Sequence, residues 1–312
     1  MNWTFLVAEY LAQQRQLGYS LISEGRYLQS FALFAEQQEN ATTLTIELAL
    51  RWANQAHSGS DIAIARRFGV LRPFSRYLCI HGIDSVVLPS HFIGPTHRRF
   101  PPFIFTDSDI AQLMAMADRL IPVNGLRPIT IKTLIGLLAS TGLRPGEAVR
   151  LRCQDVKLDE GEIVIDNSKG WRQRFIPIAP SVVSALSTYN MHRDQLNPLS
   201  QSGVFFEFDK CQPLNIRAAD YAFQVLRKAT GLLVQLNGRQ PRLYDLRHTF
   251  VCRNMLSWYQ SGANVDSRIA QLSHYLGHRK VSDTYWYLTA IPELMACAAN
   301  KATTNGVFGG AS

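Results

Sequence analysis

The sequence predicts a mainly α-helical protein with a small antiparallel β-sheet, divided into two domains. Three observations carry this expectation. Apolar residues recur at three- and four-residue spacing through most of the 312 residues, as amphipathic helices require. GEIVID (161–166) and RQRFIPI (172–178) read as two strands of a hairpin, alternating or running apolar around a polar turn at 167–171. Between 89 and 104, PSHFIGPTHRRFPPFI concentrates prolines, a glycine and the Arg98-Arg99 pair, which predicts an extended basic linker.

Residues 3–16 place Phe5, Leu6, Tyr10 and Leu11 at helical spacing, with Gly18 as a stop. Further helices fit 23–38, 44–55 and 61–80, the last capped by Ser60 and expected to kink or break at Pro73. Four short helices make an all-α unit. After the linker, Thr106 is an N-cap, with Asp107 and Asp109 favouring the positive helix end. Residues 129–140 are apolar on most faces and predict a buried helix. The hairpin follows, and Gly203 to Phe208 is expected to add a third strand. Helices return at 179–195, 215–230, 244–261, 265–276 and 282–300, and a weakly patterned tail ends the chain. Gly277 is expected to close the helix that ends at Leu276, and Ser282 to cap the next one.

With 46% hydrophobic residues the chain can bury sizeable cores. Its net charge of +8 is uneven: residues 1–97 carry seven Arg and seven acidic residues, leaving 25 Lys/Arg against 17 Asp/Glu in 98–312. Such a surplus suits a polyanionic partner. Five scattered cysteines without a CxxC pair disfavour a disulfide framework and a cysteine zinc site. No signal-like start or run near the roughly 18 apolar residues of a membrane span occurs, which predicts a cytoplasmic protein with no membrane partner.

Arg144 in STGLRPGEAVRL lies where Pro145 can open a helix and Glu147 can answer its unpaired amides, so its guanidinium is held at a positive helix end suited to phosphate. In PRLYDLRHTF, Leu243, Leu246 and Phe250 form a core stripe while Tyr244 and Arg247 share another face. Lys169 occupies the hairpin tip. His278 falls in the joint between two helices, and Tyr285 and Tyr287 face nearly opposite ways, about 200° apart on the second. Arg66, Arg67, Arg72 and Arg76 on the fourth helix have no acidic residue among them; phosphate gripping and a solvated surface are both readings. His274 and His278 stand four apart, but Tyr275 occupies the place of an HExxH glutamate and Gly277 interrupts the helix, so no metal is expected.

Taken in order, Arg144 in TGLRPGE, Lys169 on a turn, Arg247 in YDLRHTF, and His278 in LGH followed by Tyr287 resemble the tyrosine recombinase, or phage integrase, family. The resemblance covers essentially the whole chain, and HYLGHRKVSDTYWYLTAIPELM resembles the subgroup carried by transposons and other mobile elements. It implies a helical, SAM-like core-binding domain over 1–97, a linker over 98–105, and a mixed α/β catalytic domain over 106–312 with a C-terminal helix and tail.

The implied activity is site-specific cleavage and rejoining of double-stranded DNA through a 3′-phosphotyrosine bond, without cofactor, by four protomers on two sites; the free chain is expected to be monomeric. By position, Tyr287 is the nucleophile and Tyr285 a packing residue. Arg144 and Arg247 hold the phosphate oxygens, Lys169 protonates the leaving oxygen, His278 donates to the phosphate, and Glu147 orients the site. DNA contacts are expected from Arg66, Arg67, Arg72, Arg76, Arg98, Arg99, Arg172, Arg174, Arg242 and Arg279, with the two domains clamping the duplex. One position departs from the family: Tyr244 stands where histidine is usual, three residues before the second arginine. A phenol with a pKa near 10 donates to phosphate but is a poor base at neutral pH. A catalytically silent DNA-binding or architectural subunit is the alternative that this departure leaves.

Overall fold

A computed structural model divides the chain into two compact units, Met1–Phe100 and Pro101–Ser312. It describes all residues except 40, 57–58, 97–99, 167–172, 233–239, 279, 291–294 and 296–312.

In the first unit the described residues form four helices: α1 (Trp3–Gln16), α2 (Ile22–Glu36), α3 (Ile46–Ala53) and α4 (Asp61–Ile80). Asn2, Thr45 and Ser60 cap α1, α3 and α4 through their side-chain oxygens, satisfying amides that the first helical turn leaves open. The core is aromatic, with Trp3 and Trp52 packed edge-on against Phe31. Two expectations are refined. On α1 the buried stripe is Trp3, Val7, Tyr10 and Leu11, and Phe5 is exposed. Pro73 does not break α4, which is one helix throughout, and the proline itself is exposed.

The second unit is built around α6 (Leu126–Thr141), whose Leu126, Ile131, Leu134, Ile135, Leu137 and Leu138 are buried. It is packed against α5 (Asp107–Ala117), which starts in a Thr106/Asp109 capping box. The one-turn α7 (Pro145–Ala148) leads to an antiparallel sheet of β1 (Val156–Lys157), β2 (Glu162–Ile165) and β3 (Arg174–Pro177), with Ile163 opposite Ile176. Then come α8 (Pro180–Leu196), a hairpin of β4 (Glu207–Phe208) and β5 (Gln212–Pro213), α9 (Ile216–Ala229), α10 (Asp245–Gln260), α11 (Val265–Leu276) and α12 (Ser282–Ala290). Gly203 to Phe208 is therefore not the third strand. Its first residues pair with 151–153 through an Arg152–Val204 bridge, and its last two form β4, while the third strand is β1. A separate apolar cluster, including Val251, Met255, Ile269, Leu276 and Tyr287, joins α10, α11 and α12. No helix among the described residues is long and apolar enough to cross a membrane.

Candidate active site

Two helices of the second unit end in a left-handed glycine, and both ends converge on Arg247. Gly142 closes α6 at φ 63° and Gly277 closes α11 at φ 65°. Only glycine adopts that cap without steric cost. Neither position has room for a Cβ, which would lie 2.4 Å from Phe250 at Gly142 and 2.4 Å from Arg174 at Gly277. The Arg247 guanidinium, 1% exposed on the first turn of α10, donates through Nη1 to the Gly142 carbonyl at 2.8 Å and through Nη2 to the Leu276 carbonyl at 2.8 Å. Helix C-termini carry partial negative charge, so they suit a cation. Burial and the positive charge of Arg144 pull the Arg247 pKa down to about 10, and the side chain remains a cation at neutral pH.

Arg144 precedes α7. Its backbone amide donates to Glu147 Oε2 at 3.0 Å, its Nη1 to Glu147 Oε1 at 2.7 Å and its Nη2 to the Gly277 carbonyl at 3.0 Å. Burial opposes its charge, but the Glu147 carboxylate more than offsets this and raises its pKa. Glu147 is itself buried and bonded to both Nη atoms of Arg174, at 3.2 and 2.6 Å. Burial works against that carboxylate too, yet Arg174 and Arg144 hold it below the usual carboxylate range. This corrects the expectation for Arg174, which is 7% exposed and locked beneath the site. The strand pattern RQRFIPI contains the reason: Arg174 points to the same face as the buried Ile176.

His278 follows the Gly277 cap. Its Nε2 lies 2.9 Å from Arg247 Nη2, a donor, so Nε2 accepts and Nδ1 carries the proton, donating to Thr284 Oγ1 at 2.7 Å. Burial, reinforced by Arg247 and Arg144, pulls the His278 pKa down to about 4, and the ring is neutral at pH 7. Tyr287 on α12 is 3% exposed, and its hydroxyl lies 2.7 Å from Nδ1 of His248. Burial raises the pKa of this phenol, with Arg247 and Arg144 near enough to oppose the rise. Tyr244, at the edge of α10, is beside Arg144 and packs edge-on against the His248 ring, 5.1 Å between centroids. The two tyrosines of α12 do face opposite ways, but Tyr285 is not a packing residue. It is 39% exposed, and its hydroxyl donates to Asp266 Oδ1 at 3.2 Å.

The structure thus brings Arg144, Glu147, Tyr244, Arg247, His278 and Tyr287 together. Lys169, Arg172, Arg98, Arg99 and Arg279 lie outside the described residues. A cavity of about 810 Å³ opens beside Arg144, Glu147 and Tyr244, with Arg150, Arg227 and Arg242 also on its wall. Arg242 is half-exposed and paired with Asp245 at 2.9 Å. The arginines of α4 do not form one open face: Arg66 and Arg76 are exposed, but Arg67 stacks 4.2 Å over Trp52 and Arg72 donates to the Leu88 carbonyl at 3.1 Å. Sequence reasoning missed His248 and Thr284. The signal for His248 was present in YDLRH, where it follows Arg247 and lies one turn after Tyr244; nothing in the sequence marks Thr284.

The phage integrase family model matches residues 104–293. A relative named as an integrase/recombinase, y4rE of Sinorhizobium fredii, is 33% identical over 300 residues, 96% of either chain. The tyrosine recombinase XerD of Staphylococcus haemolyticus is 28% identical over 298 residues, 90% of this chain and 92% of the relative. Among solved structures, the Tn1549 transposon integrase in complex with a circular intermediate DNA matches with a TM-score of 0.64 at 17% identity, over 92% of this chain and 95% of that one. XerH site-specific recombinase bound to difH substrate matches with a TM-score of 0.63 at 16% identity, over 91% and 81%. With the family model and the y4rE match joined to this fold, the chain belongs to the phage integrase family: it is a tyrosine recombinase, a DNA strand transferase.

Proposed function

We propose that the protein cleaves and rejoins duplex DNA at specific sites through a 3′-phosphotyrosine intermediate on Tyr287. The observation that carries this reading is the convergence of two fixed guanidiniums, a neutral imidazole and one buried phenol on a single point. Attack by the phenol oxygen on a phosphodiester builds negative charge on the non-bridging oxygens, where Arg144 and Arg247 stabilise it without reorganising. His278, which accepts from Arg247 and donates to Thr284, holds the Arg247 fork in place instead of donating to the phosphate itself; Tyr244 donates its hydroxyl, and Glu147 with Arg174 sets the height of Arg144. Lys169 protonates the leaving 5′-oxygen. Bond energy is stored in the phosphotyrosine ester, so rejoining needs no nucleotide cofactor.

Of the arginines expected to contact DNA, Arg66, Arg76 and Arg242 are the described ones exposed enough to meet backbone phosphates, and such contacts weaken as salt rises. We assign the working assembly as four protomers on two sites, the protein as cytoplasmic, and its role to a mobile element, a reading supported by the likeness to a transposon integrase. A second reading, a DNA-binding subunit that does not cleave, is favoured by the burial of Tyr287.

One assay separates the two. A duplex selected from a random pool by binding to the full chain is made into a suicide substrate, nicked beside the scissile phosphate. The expected result is an SDS-resistant protein–DNA adduct that is lost in Tyr287→Phe and kept in Tyr285→Phe. Loss in Tyr285→Phe with retention in Tyr287→Phe overturns the nucleophile assignment, and no adduct with any chain supports the silent subunit.

A further inference from the structure

Beyond the residues to which the family resemblance gives a role, the site holds one more titratable group against the reacting oxygen. We infer that His248 is the proton acceptor for the Tyr287 hydroxyl, and so a catalytic residue of strand cleavage; this rests on the reading of Tyr287 as nucleophile. The geometry is direct. Nδ1 of His248 lies 2.7 Å from the Tyr287 oxygen, and the two rings are tilted with centroids 5.3 Å apart. Nε2, on the far side of the ring, is 3.9 Å from Oδ1 of Asp245, whose side chain is 2% exposed. A carboxylate there favours the tautomer with the proton on Nε2, in which the Nδ1 lone pair accepts from Tyr287, and it stabilises the imidazolium formed once Nδ1 is protonated.

The other candidates for the base are engaged elsewhere or unsuited. The Nε2 of His278 accepts from Arg247, and its Nδ1 faces Thr284. Tyr244 is a phenol, which offers a hydrogen to donate where an imidazole offers a lone pair to take one. A base is needed because burial raises the Tyr287 phenol above its ordinary value despite Arg247 and Arg144. Among the described residues, the groups that face His248 include Tyr244, Asp245 and Arg247 on its own segment and Tyr287 and Trp286 from α12.

The step balances as follows. The Tyr287 O–H proton passes to Nδ1, the phenol oxygen bonds to phosphorus, and the bond from phosphorus to the 5′-oxygen breaks. That oxygen takes its proton from a separate donor, assigned above to Lys169. On rejoining, a 5′-hydroxyl oxygen bonds to phosphorus and gives its proton to the donor assigned above, the bond from phosphorus to the tyrosine oxygen breaks, and His248 returns its proton to the phenol.

The test is single-turnover cleavage of the suicide duplex by the full chain across pH. The wild-type rate should rise with pH as the imidazole loses its proton and then level off. His248→Asn keeps a hydrogen-bonding group near the position of Nδ1 but cannot take the proton. It should cleave about 100-fold more slowly, with DNA affinity unchanged and without that rising limb; His248→Ala should match it. A His248→Asn rate or pH profile equal to wild type overturns the proposal, and so does recovery of the full rate by His248→Asn where His248→Ala has lost it, since that marks a positioning role alone. An adduct persisting in Tyr287→Phe instead overturns the nucleophile assignment, a separate failure.

Discussion

The two halves of the site are held in different ways. Arg247 is fixed by the carbonyls of two glycine-terminated helices and by the His278 ring, and beneath it Glu147 ties Arg144 to Arg174. Among the described residues Tyr287 is held by apolar packing and by a polar contact to His248. The contrast is chemically sensible. Charge stabilisation demands donors that do not move as charge develops, whereas a nucleophile must travel to phosphorus and back. A rigid anion cradle facing a phenol held by packing and its hydrogen bond to His248 satisfies both demands.

The largest effect should come from breaking the cradle at its centre. Lysine in place of Arg247 keeps the charge but has no planar fork to span the Gly142 and Leu276 carbonyls, so it cannot hold the same geometry. Arg247→Lys should lower single-turnover cleavage about 100-fold or more, with DNA affinity by gel shift changed far less. Equal losses in both would mean that Arg247 binds ground state and transition state alike, and the contrast between the halves would lose its meaning.

How much of this was legible in the sequence follows from the range of the forces involved. The caps at Thr106 and Gly277 are local signals answered within three residues, so the start of α5 and the end of α11 were readable. Gly203 to Phe208 misled because its partner depends on tertiary position; an apolar run specifies a strand and not its neighbour. In the site, Arg144, Arg247, His278 and Tyr287 were legible through motifs with fixed spacing. The fate of Arg174 was not: basic composition suggests a phosphate contact, but β3 turns that side chain inward to Glu147, a partner 27 residues away. Tyr285 shows the reverse, an aromatic assigned to packing that lies on the solvent side because Tyr287 occupies the buried face.

A stability measurement sharpens the same contrast. Glu147→Leu leaves the Arg174 guanidinium buried without its carboxylate and should cost about 3–5 kcal/mol, read as a fall in the urea midpoint. Tyr287→Phe, which removes a single hydroxyl, should cost about 1 kcal/mol. A Tyr287→Phe loss as large as that of Glu147→Leu would show that the nucleophile is as firmly built in as the cradle.

The smallest expected effect concerns the joint between the halves, where His278 bonds to Arg247 on one side and to Thr284 of α12 on the other. Its pKa is pulled down to about 4 by burial and by the two arginines, against about 6.5 in an unfolded chain. As pH falls from about 6.5 towards 4, the unfolded state therefore binds the proton first, and stability declines across that window. Glu147 acts lower: its carboxylate is held below the usual range, so its contribution is present above the unfolded value near 4.3 and is lost only as pH drops further. Urea midpoints of the wild type should thus fall between pH 6.5 and 4.5, and His278→Asn, which cannot take up the proton, should flatten that decline while leaving the steeper loss below pH 4 in place. An unchanged slope in His278→Asn would mean that His278 is not the group through which acid loosens α12 from the arginines, and that the joint is as indifferent to pH in this range as the cradle it adjoins.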